Sequence, residues 1–332
     1  MKTTKLTTTR TFGVEIEFFG SRPEEIARQL QEKTGIRVEA EGWNHITREY
    51  WKVVPDGSAE WELVSPIMQY KEGMKETKKM IKTLAQIERN SNGDLLYVNK
   101  KCGIHVHICA DDATGKKVSN LVKYFGVNEH IIDSVVSPSR RGSRNEYCKS
   151  VFEALQPRHT GLYSDNGESV LPQTKKLLFA KLNKIAKKGE RRNTDVYGTI
   201  SEMSDCLQNG ILRYCKLNLT SFRKYRTVEF RGFNGSLCCE KISNWINFCG
   251  ATVDKTFGAK VIQNKVQDDW RLAFANVFGK GCGRKTLKFF GDRAEKFETL
   301  HEGLSNNRTY VDFDSVGNSE NMFNFATRSG TI

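Results

Sequence analysis

Three short segments of this 332-residue chain set ionisable side chains two residues apart between strand-forming hydrophobes: Val14-Glu15-Ile16-Glu17-Phe18, Ile104-His105-Val106-His107-Ile108 and Val228-Glu229-Phe230-Arg231. In extended backbone, alternate side chains point to the same face. Each segment therefore turns its apolar residues one way and its pair of functional groups the other. Taken singly, each pair has an ordinary explanation. Glu15 with Glu17 suits a solvated sheet face, Glu229 with Arg231 suits a plain salt bridge, and two imidazoles about 7 Å apart suit either accident or a shared ligand. Three such strands in one sheet, with Glu62 of a fourth alternating segment, make a surface of carboxylates, imidazoles and a guanidinium.

That set of groups matches a hard divalent ion and a phosphate. Magnesium prefers oxygen ligands and is usually held by a few carboxylates together with substrate phosphates. Glu15, Glu17, Glu62 and Glu229 supply the carboxylates. A histidine beside them can take a coordination place or donate to a phosphate oxygen, and Arg231 can offset charge on a transferring phosphoryl group.

The elements that must position these groups are legible in the same way. Alternation predicts strands over Phe12 to Phe19, Trp51 to Val54, Glu60 to Ser65, Leu95 to Val98, Gly103 to Ile108, Arg213 to Leu219 and Thr227 to Phe233. Pro55-Asp56-Gly57-Ser58 is turn chemistry first and a ligand second. Ser21 and Glu24 have capping-box spacing around Pro23, so a helix starts there and ends near Gly35. Met74, Ile81, Leu84 and Ile87 predict a helix over 71–89; others are expected over 117–133, 143–155 and 175–188, and through most of the chain from 234 to 302. Helices among alternating strands imply an α+β fold, with an antiparallel or mixed sheet covered on one face. Residues 1–10 are expected to be a flexible tail, 11–302 one catalytic domain with its motif core in 11–250 and a helical part over 251–302, and 303–332 a loop-rich tail or lid.

Composition narrows the class. No stretch reaches the 18 or so apolar residues of a membrane span, and the N-terminus lacks the apolar core of a secretory signal, so a cytoplasmic protein is expected. The nine cysteines, an odd number with no C-x-x-C pair, match neither a disulfide framework nor a thiolate zinc cage. The formal charge of +13 draws polyanions or phosphorylated ligands. Its basic runs, Lys75 to Lys82, Lys175 to Lys188 and Lys285 to Arg293, read mainly as solvated helix faces spread along the chain.

The order of an E-x-E strand, a later G-x-H-x-H and a still later E-x-R resembles that of glutamine synthetase and glutamate–cysteine ligase. Phe12 to Phe18, Asp56-Gly57-Ser58, Glu62 to Pro66, Cys102 to Ile108 and Thr227 to Ser236 are closer still to the amidoligase family of phages and bacteria, a resemblance that covers residues 11 to 250. It implies a glutamine-synthetase-like antiparallel sheet folded as a trough with helices on its outer face. ATP would enter at one end, and its γ-phosphate would meet a carboxylate in the middle. The implied activity is an ATP- and magnesium-dependent carboxylate–amine ligase, manganese being able to substitute, with an acyl phosphate as intermediate. Carried over by position, Glu15, Glu17, Glu62, Glu229 and His105 are the metal ligands. His105, Arg231 and Arg144 face the nucleotide, and Arg231, His107 and Glu62 are catalytic, with His107 toward the carboxylate substrate. Small-molecule or peptide carboxylates and amines are the implied partners, and a polyanionic acceptor fits the charge.

Two other classes stay open on the residues alone. H-x-H on a strand also begins the metal site of zinc amidohydrolases, but those need further His and Asp ligands, and His45, His130, His159 and His301 form no strand-end motif while carboxylates are plentiful. A non-catalytic nucleic-acid binder fits the charge, yet the sequence carries no finger, aromatic RNA-binding signature or helix-turn-helix pattern.

Overall fold

The computed structural model describes residues 8–20, 22–90, 96–151, 170–192, 195–208, 213–262, 270–279 and 283–297. Expectations for Ser21, Leu95, residues 152–155, His159, Cys282, His301 and the tail at 303–332 lie outside them. The strands are β1 (Phe12–Phe18), β2 (Val38–Ala40), β3 (Trp51–Pro55), β4 (Trp61–Val64), β5 (Gly103–Cys109), β6 (Leu217–Asn218) and β7 (Thr227–Asn234), in one seven-stranded sheet of order β2-β3-β4-β1-β5-β7-β6. The helices are α1 (Pro23–Thr34), α2 (Tyr70–Asn90), α3 (Gly115–Asp133), α4 (Val170–Arg191), α5 (Val196–Gln208), α6 (Ser221–Tyr225), α7 (Cys239–Gly258), α8 (Trp270–Phe278) and α9 (Gly283–Phe297). The architecture is α+β, as the periodicity implies. The sheet is mixed rather than wholly antiparallel: β1 runs antiparallel to β4 and β5, and β3 to β4, but β2 and β3 are parallel. None of the described helices is long and apolar enough to cross a membrane.

The chain divides into two compact units. One is Thr7–Cys109 with Glu229–Gly250. Its sheet has a dry face: Val14, Ile16, Phe18, Val53, Leu63, Ile104, Val106 and Ile108 are buried, as are Ile26 and Leu30 of α1 and Ile81, Leu84 and Ile87 of α2. Burying such a side chain is worth about 1.5–3 kcal/mol, enough to dictate which face of each strand turns inward. Phe12 packs edge-on against Tyr70, Trp51 Nε1 donates to Glu76 Oε1 at 2.7 Å, and Phe233 stacks on Trp245, which ties α2 and α7 to the strands. Gly35 closes α1 in the left-handed region at φ 67°, its N–H bonded to Gln31 O. The helix opens with Pro23 after Arg22, whose side chain makes no cap.

In the other unit, α3 packs with α4, α5 and α8, and α8 with α9. Lys216 is buried there with its Nζ 2.6 Å from Asp133 Oδ1 and 3.1 Å from Glu129 Oε1. Three expectations are corrected. Residues 143–148 form turns and bends and Lys149 a bridge to Cys215, not the start of a helix, because Gly142 sits at φ 56° with its N–H on Asp133 Oδ2, and Asn145 Oδ1 takes the Tyr147 N–H. Such side-chain to backbone bonds compete with helix formation. The strand expected over Arg213 to Leu219 shrinks to Leu217–Asn218, because Asn218 Oδ1 accepts from Thr220 and turns the chain into α6. Between Leu95 and Val98 the described residues make one bridge, Tyr97 to Phe19.

Candidate active site

β1 is the hub. Its register sets Glu15 opposite His105 on β5, Glu17 opposite Glu62 on β4, and Gly13 opposite His107. Lateral neighbours in a sheet share a face, so two carboxylates of one strand meet the imidazoles of one neighbour and the carboxylate of the other. Each nitrogen of the His105 ring faces a carboxylate, with Nδ1 3.0 Å from Glu15 Oε2 and Nε2 3.2 Å from Glu17 Oε1. Nδ1 also lies 3.8 Å from Glu62 Oε1 and 3.9 Å from Glu229 Oε1. His107 Nε2 is 3.3 Å from Glu15 Oε1 and 3.9 Å from Glu229 Oε1. Arg231 Nη1 donates to Glu229 Oε1 at 2.5 Å, so the salt bridge expected of that pair is made inside the cluster. Glu17 is pinned by the Gly103 N–H, which donates to its Oε2 at 2.6 Å.

Glu17, His105, Glu229 and Arg231 are buried, whereas the side chains of Glu15, Glu62 and His107 keep 25, 15 and 14% of their surface open. The electrostatics divide the carboxylates. Burial by itself would push Glu15 up, but the charge of His107 and hydrogen bonds from His105 and His107 outweigh it and hold the group well below the usual carboxylate range. Glu229 is likewise lowered, burial being overcome by Arg231 and His107. Glu62 goes the other way: burial and the charges of Glu15, Glu17 and Asp56 raise it well above that range. His107 is raised, since Glu229 and Glu15 overcome the effect of burial.

Three overlapping sets of these groups each bring ligand atoms within 4.8 Å of one another: Glu15, Glu62 and His105; Glu15, His107 and Glu229; Glu17, Asp56 and Glu62. Seven of the eight residues singled out from the sequence are thus together. Arg144 belongs to the other unit, in the turn that follows Gly142.

Asp56, read from the sequence as turn first and ligand second, is joined by Lys52, which sequence reasoning missed. Asp56 is both turn and cluster member: its Oδ1 accepts from the Ser58 and Ala59 N–H groups, which overcome burial and lower its carboxyl. Lys52 shares the face of Glu15, both being registered on Val64, and its buried Nζ donates to Asn44 Oδ1 at 2.7 Å and Ile46 O at 2.8 Å. A lysine inside the apolar run Trp51 to Val54 was the available signal.

A family model described as "Putative amidoligase enzyme" matches residues 8–253. Among solved structures, the chain is similar to the ligase complex of "Prokaryotic Ubiquitin-like Protein Pup and its Ligase PafA", with 11% identity and a TM-score of 0.36. That match covers 92% of this chain and 66% of the other, so the chain spans just under two thirds of its length. No curated protein matches.

Proposed function

The chain belongs to this amidoligase family, and we propose that it is an ATP- and magnesium-dependent carboxylate–amine ligase working through an acyl phosphate. The observation that carries the proposal is the convergence of Glu15, Glu17, Glu62, Glu229 and Asp56 with two imidazoles and a single guanidinium. The donor set fits a hard divalent ion. Burial and the charges of the neighbouring carboxylates together raise Glu62, which is the condition a bound cation relieves, and their oxygens are the ligands magnesium prefers. Glu15, Glu17, Glu62, Glu229 and His105 would hold the ion or ions, with Asp56 and His107 within the same ligand sets. When bound, magnesium would polarise the nucleotide phosphates and neutralise charge on them.

The protein groups then have distinct tasks. A substrate carboxylate oxygen attacks the γ-phosphorus, the bond to the bridging β–γ oxygen breaks, and ADP leaves. Arg231 keeps Glu229 ionised and sets positive charge beside the transferring phosphoryl group. His107, raised by its two carboxylate neighbours, orients the incoming carboxylate. An amine next attacks the acyl carbon and phosphate departs. Glu62, a carboxylate of the cluster that stays partly open, takes the proton the amine loses. The amine and carboxylate are small molecules or peptides.

Oxygen-18 in the substrate carboxylate tests this. One labelled oxygen is expected in the released phosphate, and hydroxylamine is expected to trap the activated acyl group as a hydroxamate, both only with magnesium or manganese. Label in AMP would replace the acyl phosphate by an adenylate. ATP-independent hydrolysis with water as acceptor would overturn the ligase assignment.

A further inference from the structure

The formal charge of +13 is unevenly placed. Residues 7–109 and 229–250, which carry the carboxylate cluster, hold 17 Lys and Arg against 17 Asp and Glu, so the entire net charge falls on the rest of the chain. There it is concentrated on α4. Over residues 177–192, Lys181, Lys184, Lys187, Lys188, Arg191 and Arg192 are all exposed, against the single acid Glu190. At 100° per residue these six fall within an arc of roughly 140°, and Leu178, Leu182, Ile185 and Ala186 on the other side are buried. Five of the six, from Lys184 to Arg192, line with Asn183 a groove of about 550 Å³.

We propose that this face of α4 binds the phosphate backbone of a duplex nucleic acid without regard to sequence. The composition of the face selects that partner. Protein interfaces are depleted in lysine and enriched in aromatic residues, whereas four of these six cations are lysines and the one aromatic of the segment, Phe179, is buried. Binding in a membrane surface needs an open apolar helix face, and among residues 177–192 Leu178, Leu182, Ile185 and Ala186 are buried, with Leu177 the one exposed large apolar side chain. Single-stranded nucleic acids are held by aromatic stacking platforms, which the exposed residues of 177–192 lack. Phosphates on a duplex need only cations in a row. Residues 181–192 extend about 16 Å at 1.5 Å per residue, over which a duplex presents roughly nine charges, enough to engage every cation. Among the described residues, the one ion pair on the face, Lys188 with Glu202 at 3.1 Å, is exposed and weak enough to exchange for a phosphate.

The test is fluorescence anisotropy of the full chain with a labelled 20-base-pair duplex, a scrambled duplex, a single strand of equal length and poly-glutamate, across a salt series. Five or six phosphate contacts predict that log Kd rises with log salt with a slope of about 5, equally for both duplexes. The combined Lys184→Gln, Lys187→Gln, Lys188→Gln and Arg191→Gln variant is expected to lower that slope by about 3.6 and to bind the duplex at least roughly 30-fold more weakly at 50 mM salt. A Lys184→Arg, Lys187→Arg and Lys188→Arg variant, which keeps the charge, is expected to bind within about threefold of the parent. Circular dichroism confirms that each variant is folded. Duplex binding that survives the Gln substitutions in a folded protein, absence of duplex binding by the parent at 50 mM salt, or tighter binding of poly-glutamate or of the single strand would overturn the proposal.

Discussion

Glu62→Gln separates a metal-binding cluster from a self-sufficient salt-bridge network. Glu62 offers an oxygen within 4.8 Å of both Glu17 and Asp56. At that separation two unit charges repel by about 3.5 kcal/mol at an effective dielectric constant of 20. Burial penalises the charged form further, His105 Nδ1 at 3.8 Å offsets part of the whole, and Glu62 relieves the rest by retaining its proton. The folded-state value is raised, so the contribution of Glu62 to stability is intact below the ordinary carboxyl range. It is lost as pH climbs from there through the raised value. Gln keeps the volume and never ionises. In chelator, the variant is therefore expected to gain about 1–3 kcal/mol over the parent at pH 8, the Coulomb repulsion less its offset, and to match it within about 0.5 kcal/mol at pH 4. Magnesium should raise the parent's denaturation midpoint at pH 8 and raise the variant's much less. Urea unfolding at both pH values, with and without the ion, reads all four quantities. A variant less stable than the parent at pH 8 in chelator would refute the reasoning, because Glu62 would then be a net-stabilising partner of His105.

Glu15→Gln and Glu229→Gln are each expected to lower ligation at least about 10²-fold while the protein stays folded, measured as ADP release coupled to hydroxamate formation with the melting curve as control. Arg231→Lys keeps a positive charge but loses the planar fork that meets Glu229, and kcat should fall by roughly 10²-fold with ATP affinity changed less than about fivefold, read by single-turnover kinetics and calorimetry. Gly235→Ala would put a methyl 3.0 Å from Cys102 O and closer to its Cβ, so the strand end must shift. A loss of about 1–3 kcal/mol in urea unfolding is expected, and the parent's stability in the variant would show that the contact yields freely.

What the sequence determined by itself is what period-two geometry and helical spacing can encode along a few consecutive residues. Glu15 and Glu17 had to share a face, as did His105 and His107, because alternating backbone leaves no other choice once Val14, Ile16, Val106 and Ile108 are buried. The helices at 70–90 and 115–133 followed from apolar spacing for the same local reason. Short elements were lost: β2 has three residues and α6 five, too few for a period to register. Only the tertiary structure decided which strands adjoin. The contact of Glu15 with His105 joins residues 90 apart, and that of Glu17 with Glu62 depends on a register no local pattern specifies. Pairing at that distance is selected by the whole sheet burying one face at once, so only the structure decided that Asp56 is a cluster member as well as a turn, that Lys52 shares the face of Glu15, and that Arg144 falls in the other unit. The same holds for charge. Residues 7–109 are already neutral along the chain, and the fold decides that residues 229–250, neutral as well, belong with them, which leaves the whole net charge on the other unit.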